Sequence, residues 1–251
     1  MALIHLNHFS QALGKCSACF VTVPDGRGPF PVVYLLHGHS DDYTIWQRRT
    51  SIERYAGDHG VMVVMPDGGR GWYSDAQDGI SRYEAHILET IAHIERLLPA
   101  RTDRAGRGIG GLSMGGYGSL KLALKHPRLF ASVVAHSGVL DMASWHREGP
   151  RTGHLRQIFG ARLPASEDCF KLATRVRASR QRPRLRIDCG TEDFLIEHNR
   201  RMHRHLDRIG YDHEYEEFPG AHTWDYWDRH IQAALAFHVR AFKATTGKSK
   251  R

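Results

Sequence analysis

The segment Gly111-Leu112-Ser113-Met114-Gly115-Gly116 constrains this chain more than any other stretch. It is a G-x-S-x-G pentapeptide set between an apolar run, Arg107 to Gly110, and a helical run, Tyr117 to Leu124. Passing from strand to helix in one residue forces the central serine into a strained backbone, and small neighbours let the chain through. The serine side chain then stands above the carboxyl end of a sheet, beside the unpaired amides that open a helix. In this setting the motif reads as a nucleophile elbow rather than a glycine-rich turn with an incidental serine.

A serine hydroxyl is a weak nucleophile at neutral pH, so it needs a base, and the base needs an orienting acid. In the elbow arrangement these follow in chain order, acid then histidine. Leu185 to Gly190 reads as a short strand, and Thr191-Glu192-Asp193-Phe194 as the loop past its carboxyl end. Functional residues of open α/β sheets gather at that end, which makes Asp193 the expected acid and Asp188, inside the strand, the runner-up. His213 to Phe218 alternates polar and apolar residues as a strand does, Pro219-Gly220-Ala221 breaks it, and His222 follows. Among 18 histidines His222 is the expected base by position, whereas His230 and His238 fall in a final amphipathic helix and read as packing.

Acyl transfer also needs donors aimed at the developing oxyanion. One is expected from the backbone N–H of Met114, the residue after the nucleophile. Pro31 to Leu36 is a buried-strand pattern running into His37-Gly38-His39-Ser40, where the glycine lets the backbone present its amides. The His39 N–H is the expected second donor.

Strand patterns at 17–23, 31–36, 61–65, 107–112, 131–136, 184–189 and 213–218 alternate with helical ones at 41–57, 81–98, 115–126, 196–209 and 226–244. The alternation predicts an α/β fold with a mostly parallel central sheet covered by helices on both faces. Residues 1–242 are expected to form one domain, and 243–251 a basic, flexible tail. The segment 140–182 interrupts the rhythm between the strands that place Ser113 and Asp193. It is expected to form a small partial cap, since long connections in compact domains tend to be functional. Trp46, Trp145, Phe159 and Trp224 are the expected walls of the acyl pocket.

Several blocks occur in order: Leu35-Leu36-His37-Gly38, Asp41-Asp42-Tyr43 with Trp46, Met65 to Gly69, Gly111 to Gly116, Gly190 to Asp193, and Gly220 to Trp224. Together they resemble the esterase family that includes tributyrin-type esterases, S-formylglutathione hydrolases (esterase D), feruloyl esterases and the antigen 85 mycolyltransferases. The resemblance runs over residues 1–242, and the opening Ala2-Leu3-Ile4-His5 looks most like its small intracellular esterases. It implies the α/β-hydrolase fold, Ser113, Asp193 and His222 as catalytic residues, and the amides of His39 and Met114 as the oxyanion hole. The implied activity is hydrolysis of short-chain acyl esters by a serine carboxylesterase. An S-formylglutathione-type thioesterase or an acyltransferase on the same residues is the alternative. The implied partner is a small-molecule ester or thioester. Many of the small esterases carry a glycine two or three residues after His-Gly, where this chain has Ser40-Asp41-Asp42.

Other classes fit less well. A non-catalytic binding protein on this scaffold would be signalled by loss of a triad position, and all three are present. His37-x-His39-x-Asp41-Asp42 partly matches a metallohydrolase motif but lacks its last histidine, and His198, His203 and His205 do not share a helix face. No catalytic metal and no cofactor are therefore expected. The net charge is +8, and six arginines lie between 175 and 186. Without a recognition helix or an aromatic platform these predict a solvated basic face and no specific nucleic-acid partner. No secretory or membrane-spanning pattern occurs, so a cytoplasmic enzyme is expected. Cys16-x-x-Cys19 enters a strand, where residues three apart face opposite sides, so neither a redox pair nor half a zinc site is expected.

Overall fold

The computed structural model describes residues 1–150 and 152–247. Among them lie strands β1 (Ala2–Ser10), β2 (Lys15–Val23), β3 (Val32–Leu36), β4 (Met62–Pro66), β5 (Arg107–Leu112), β6 (Ser132–His136), β7 (Arg184–Gly190) and β8 (His213–Phe218). The helices are α1 (Ile45–Arg49), α2 (Ile52–His59), α3 (Tyr83–Leu97), α4 (Met114–Lys125), α5 (Met142–Glu148), α6 (Thr152–Phe159), α7 (Cys169–Val176), α8 (Ile196–Arg208) and α9 (Trp224–Gly247). The strands form one sheet in the order β1-β2-β4-β3-β5-β6-β7-β8. From β4 to β8 all neighbours run parallel, while β1 and β2 are antiparallel additions at one edge. This is the α/β-hydrolase architecture.

The central strands β3, β4, β5 and β6 are buried along their whole length, as strands covered on both faces must be. Their side chains alternate between two cores. Val32, Tyr34 and Leu36 face the core that includes α3, α4 and α6–α8. Val33 and Leu35 face the core built with α1, α2 and α9.

Several expectations change in detail. The anticipated helix at 41–57 is two short helices, α1 and α2, broken at Thr50 and Ser51. β1 escaped the strand pattern because it is a half-exposed edge strand studded with His5, Asn7 and His8. The backbone of 243–247 continues α9, and residues 248–251 of the expected tail lie outside the described residues. Arg186 does not join a solvated face: it is buried in the sheet and ion-paired with Glu214 and Glu216 of β8. Cys16 is exposed and Cys19 buried, on opposite faces of β2, and all four cysteines are free. Among the described residues no helix is long and apolar enough to cross a membrane.

Residues 140–182 carry α5, α6 and α7. A buried charge cluster ties this segment to the back of α4. Lys121, fully buried, lies 2.7 Å from Glu84 and 3.2 Å from Glu167, while Lys125 lies 2.9 Å from each. Burial alone would raise the Glu84 carboxyl. The hydrogen bond from His126 and the charge and hydrogen bonds of the two lysines outweigh it and hold Glu84 well below the usual carboxylate range. Glu167 is lowered in the same way. A depressed folded-state value stabilises the protein above the unfolded carboxylate value, and that stability is lost as pH falls below it. Melting temperature should therefore hold steady above about pH 5 and fall steadily below about pH 4.5. Glu84→Gln should cost about 3 kcal/mol at pH 7, and its deficit should shrink between pH 5 and pH 3. A deficit independent of pH in thermal melts would remove Glu84 ionisation from the account.

Candidate active site

Ser113 sits between β5 and α4 with φ 54° and ψ −115°, a positive φ that a non-glycine residue adopts only under constraint. The constraint is visible. Its N–H donates to His136 O at 2.9 Å, and its own carbonyl accepts from Tyr117 N at 3.0 Å and Val139 N at 3.3 Å. A Cβ on Gly115 would lie 2.4 Å from Leu36 O, so only glycine lets the first turn of α4 cross so close to β3. The Met114 N–H is one of the first-turn amides that an α-helix leaves without an internal acceptor.

Asp193, in the loop after β7, has a buried side chain whose two oxygens are both engaged. Oδ1 accepts from Leu195 N at 2.8 Å and Oδ2 from His222 Nδ1 at 2.8 Å. An ionised carboxylate only accepts, so the His222 proton lies on Nδ1 and its other nitrogen is left as a lone pair. The His222 side chain is 17% exposed and packs between Phe194 (centroids 4.6 Å) and the edge of Trp227 (4.8 Å). The loops that carry Asp193 and His222 are laced together. Glu192 N donates to Gly220 O at 3.0 Å, the Glu192 carboxylate accepts from Gly220 N, and Thr191 N donates to Phe218 O at 2.9 Å.

Asp188 takes a different partner. It is fully buried, accepting from His136 Nδ1 at 2.8 Å and from the Tyr226 hydroxyl at 3.1 Å. His230 stacks on Phe218, and His238 is buried against Ser132 with its pKa pushed down to about 3 by desolvation. Both are packing residues.

The loop after β3 is positioned by His37. Gly68 N–H can only donate, and it reaches His37 Nε2 at 2.8 Å, which leaves the ring proton on Nδ1. Nδ1 then donates to Gly38 O at 2.7 Å, and Asp41 N reaches the same oxygen at 3.3 Å. In a trans peptide the C=O and the next N–H point opposite ways. Anchoring Gly38 O therefore turns the His39 N–H away from His37. Tyr73 braces the loop: its hydroxyl donates to His37 O at 2.8 Å, and its ring fills the space a Cβ would need on Gly68 and Gly118. Neither role of His37 or Tyr73 was foreseen from the sequence.

Ser113, His222, Gly38 and His39 line one cavity of about 310 Å³, with Ser40, Asp41, Leu112, Phe194, Trp224 and Trp227. Of the four expected pocket walls, Trp224 alone is among them. Trp46 is buried behind it, edge-on at 5.2 Å, with its indole N–H donating to Leu36 O. Trp145 reaches the rim through Phe194, on which it stacks at 6.5 Å. Phe159 lies in the core against His146, so its assignment as a wall is corrected. The sequence reading missed Phe194, which is 66% exposed at the mouth. Its signal is an apolar residue directly after Asp193. His154 of α6 packs edge-on against His39 at 5.6 Å, which brings the 140–182 segment to the loop after β3.

The family model described as Putative esterase matches residues 10–238. An acetyl esterase of Caldicellulosiruptor saccharolyticus is 27% identical, covering 94% of this chain and 97% of its own length. Among solved structures, FphF, a fluorophosphonate-binding serine hydrolase of Staphylococcus aureus, is 32% identical with a TM-score of 0.89 over 95% of this chain and 98% of that one. The S-formylglutathione hydrolase FrmB of the same organism matches at 32% identity and a TM-score of 0.84, with the same coverage. This chain therefore belongs to the esterase family, serine hydrolases of the α/β-hydrolase fold that act on ester bonds.

Proposed function

We propose that this chain is a serine carboxylesterase that hydrolyses short-chain acyl esters through an acyl-enzyme formed on Ser113. One observation carries the reading: a serine at a strained turn shares a cavity of about 310 Å³ with a histidine already bonded to a buried aspartate. A space of that size suits a small acyl group.

His222 takes the Ser113 proton as the hydroxyl attacks the ester carbonyl, and Asp193 orients the ring and stabilises the imidazolium. The amides of His39 and Met114 hold the tetrahedral oxyanion, whose charge develops in the transition state. The leaving alcohol accepts the proton from His222, and water repeats the sequence to free the acid and the serine. Asp41, the carboxylate on the cavity wall, has its pKa pushed up by burial and disfavours an anionic group beside it. Residues 140–182 act as a partial cap, since α6 packs over the oxyanion loop through His154. A cytoplasmic setting accords with four unpaired thiols, three of them buried.

Ser113→Ala should lower hydrolysis of p-nitrophenyl esters by about 10⁴-fold or more with the fold intact. The wild-type chain-length profile from C2 to C12 should peak at the short end. Turnover retained in the variant would sink the mechanism. A wild-type enzyme inert on the series but active on S-formylglutathione would shift the assignment to the thioesterase.

His37→Gln removes the ring that holds Gly38 O, so kcat should fall about 10- to 100-fold with KM little changed. An unchanged kcat would mean that the Gly38–His39 peptide is fixed by other contacts. Phe194→Ala should raise KM for aryl esters about threefold to tenfold and spare kcat. Equal KM values in steady-state assays would remove Phe194 from substrate contact.

A further inference from the structure

The far ends of α8 and β8 bring together two imidazoles and a carboxylate that play no part in ester hydrolysis. His203 Nδ1 lies 2.9 Å from His213 Nε2, and the donor atoms of His203, Asp207 and His213 all lie within 4.8 Å of one another. His203 and Asp207 are one helical turn apart on α8, with Nε2 to Oδ2 at 3.4 Å. His213 is the first residue of β8.

The two rings are held in place. His213 Nδ1 donates to Tyr211 O at 2.7 Å, which leaves Nε2 as a lone pair directed at His203. A backbone carbonyl on the other nitrogen is how metal-binding histidines have their tautomer and ring plane set. His203 stacks flat on Tyr215 at 4.2 Å and 7°. The Asp207 and His203 side chains are 60% and 34% exposed, so an ion can enter from solvent.

We propose that His203, Asp207 and His213 form a binding site for a late first-row divalent cation, with zinc as the physiological occupant. Two nitrogen donors and one carboxylate suit Zn²⁺, whereas Mg²⁺ and Ca²⁺ take sets made of oxygen. The ion replaces the hydrogen shared between the rings. The His203 ring proton moves from Nδ1 to Nε2, the exposed Asp207 carboxylate swings from beside Nε2 to the ion at Nδ1, and the ring separation opens by a few tenths of an ångström to the spacing of ligands about 2.0–2.1 Å from a tetrahedral centre. Water completes the shell.

The location gives the site its consequence. α8 begins three residues after Asp193, and β8 ends four residues before His222. An ion shared by their opposite ends clips the two elements that carry acid and base, and so acts on stability without touching substrate.

The test uses the full chain freed of any histidine tag, with ZnCl₂ titrated calorimetrically and followed by thermal melting. One zinc per chain is expected at this site, with a melting temperature raised by about 5 °C at a hundredfold excess over Kd. His213→Asn and the exposed Asp207→Asn should each weaken binding tenfold or more and abolish most of the shift, while His59→Asn leaves both unchanged. p-Nitrophenyl acetate turnover at 25 °C should be the same in all three variants. Zinc binding unaltered in both site variants, millimolar affinity, or equal affinity for Ca²⁺ would overturn the proposal and leave a simple histidine–histidine hydrogen bond.

Discussion

The left-handed backbone at Ser113 is the constraint from which the rest of the site follows. Such a conformation costs about 1–3 kcal/mol and persists only where its surroundings over-determine it. Here the amide is fixed to β6 through His136 O, and the carbonyl is held by Tyr117 N and Val139 N. Gly111, Gly115 and Gly116 pack so tightly against Leu36 O, His136 O and Gly138 that a methyl group on any of them would collide with backbone. Three strand ends thus converge on one turn. The next strand end repeats the pattern, for Ser137 also has a positive φ, 47°, and donates its N–H to Asp188 O.

The helix that starts at this turn has to hold still, and its rear is fastened by charge. Lys121 has no access to water, yet its ammonium meets Tyr73 O, Ser74 Oγ and Glu84. A buried charge left unpaired would be costly, so the lysine stays only because those acceptors surround it. The bond to Tyr73 O makes the arrangement continuous. Tyr73 carries the brace to His37 O, and His37 orients the Gly38 carbonyl. A lysine behind the helix and a peptide in front of it are thus joined through two aromatic residues.

What the sequence revealed and what it hid divide along physical lines. The strand-loop positions of Ser113, Asp193 and His222 follow from short-range patterns: an apolar run, a glycine, a polar residue at the break. The central strands are legible for the same reason. Interactions that need three elements at once left no local signal. Lys121 reads as a surface lysine in a helical run, and Tyr73 as a loop aromatic. Residue type alone does not place Phe159 and Trp46: folding puts one in the core and the other behind Trp224. Along α8, His198, His203 and His205 share no common face. The partner of His203 comes instead from β8, ten residues on.

Two of the histidine–aspartate pairs at this end of the sheet, His136–Asp188 and His222–Asp193, differ chiefly in placement. Asp188 is a strand residue, so its side chain projects into the packing layer, where His136 and the Tyr226 hydroxyl enclose it. Neither His136 nor Asp188 has any solvent exposure, and no ester can reach that ring. Asp193 lies three residues past the end of β7, beyond the packing layer, in a loop stitched to the His222 turn by Glu192 and Gly220. There the carboxylate is buried while its histidine keeps one edge open to the cavity. The buried pair lends rigidity to the strand ends on which Ser113 and Ser137 are hung, and the half-open pair is the candidate for moving protons. A difference of five residues along one strand and its loop therefore separates a structural histidine–aspartate hydrogen bond from a candidate general base.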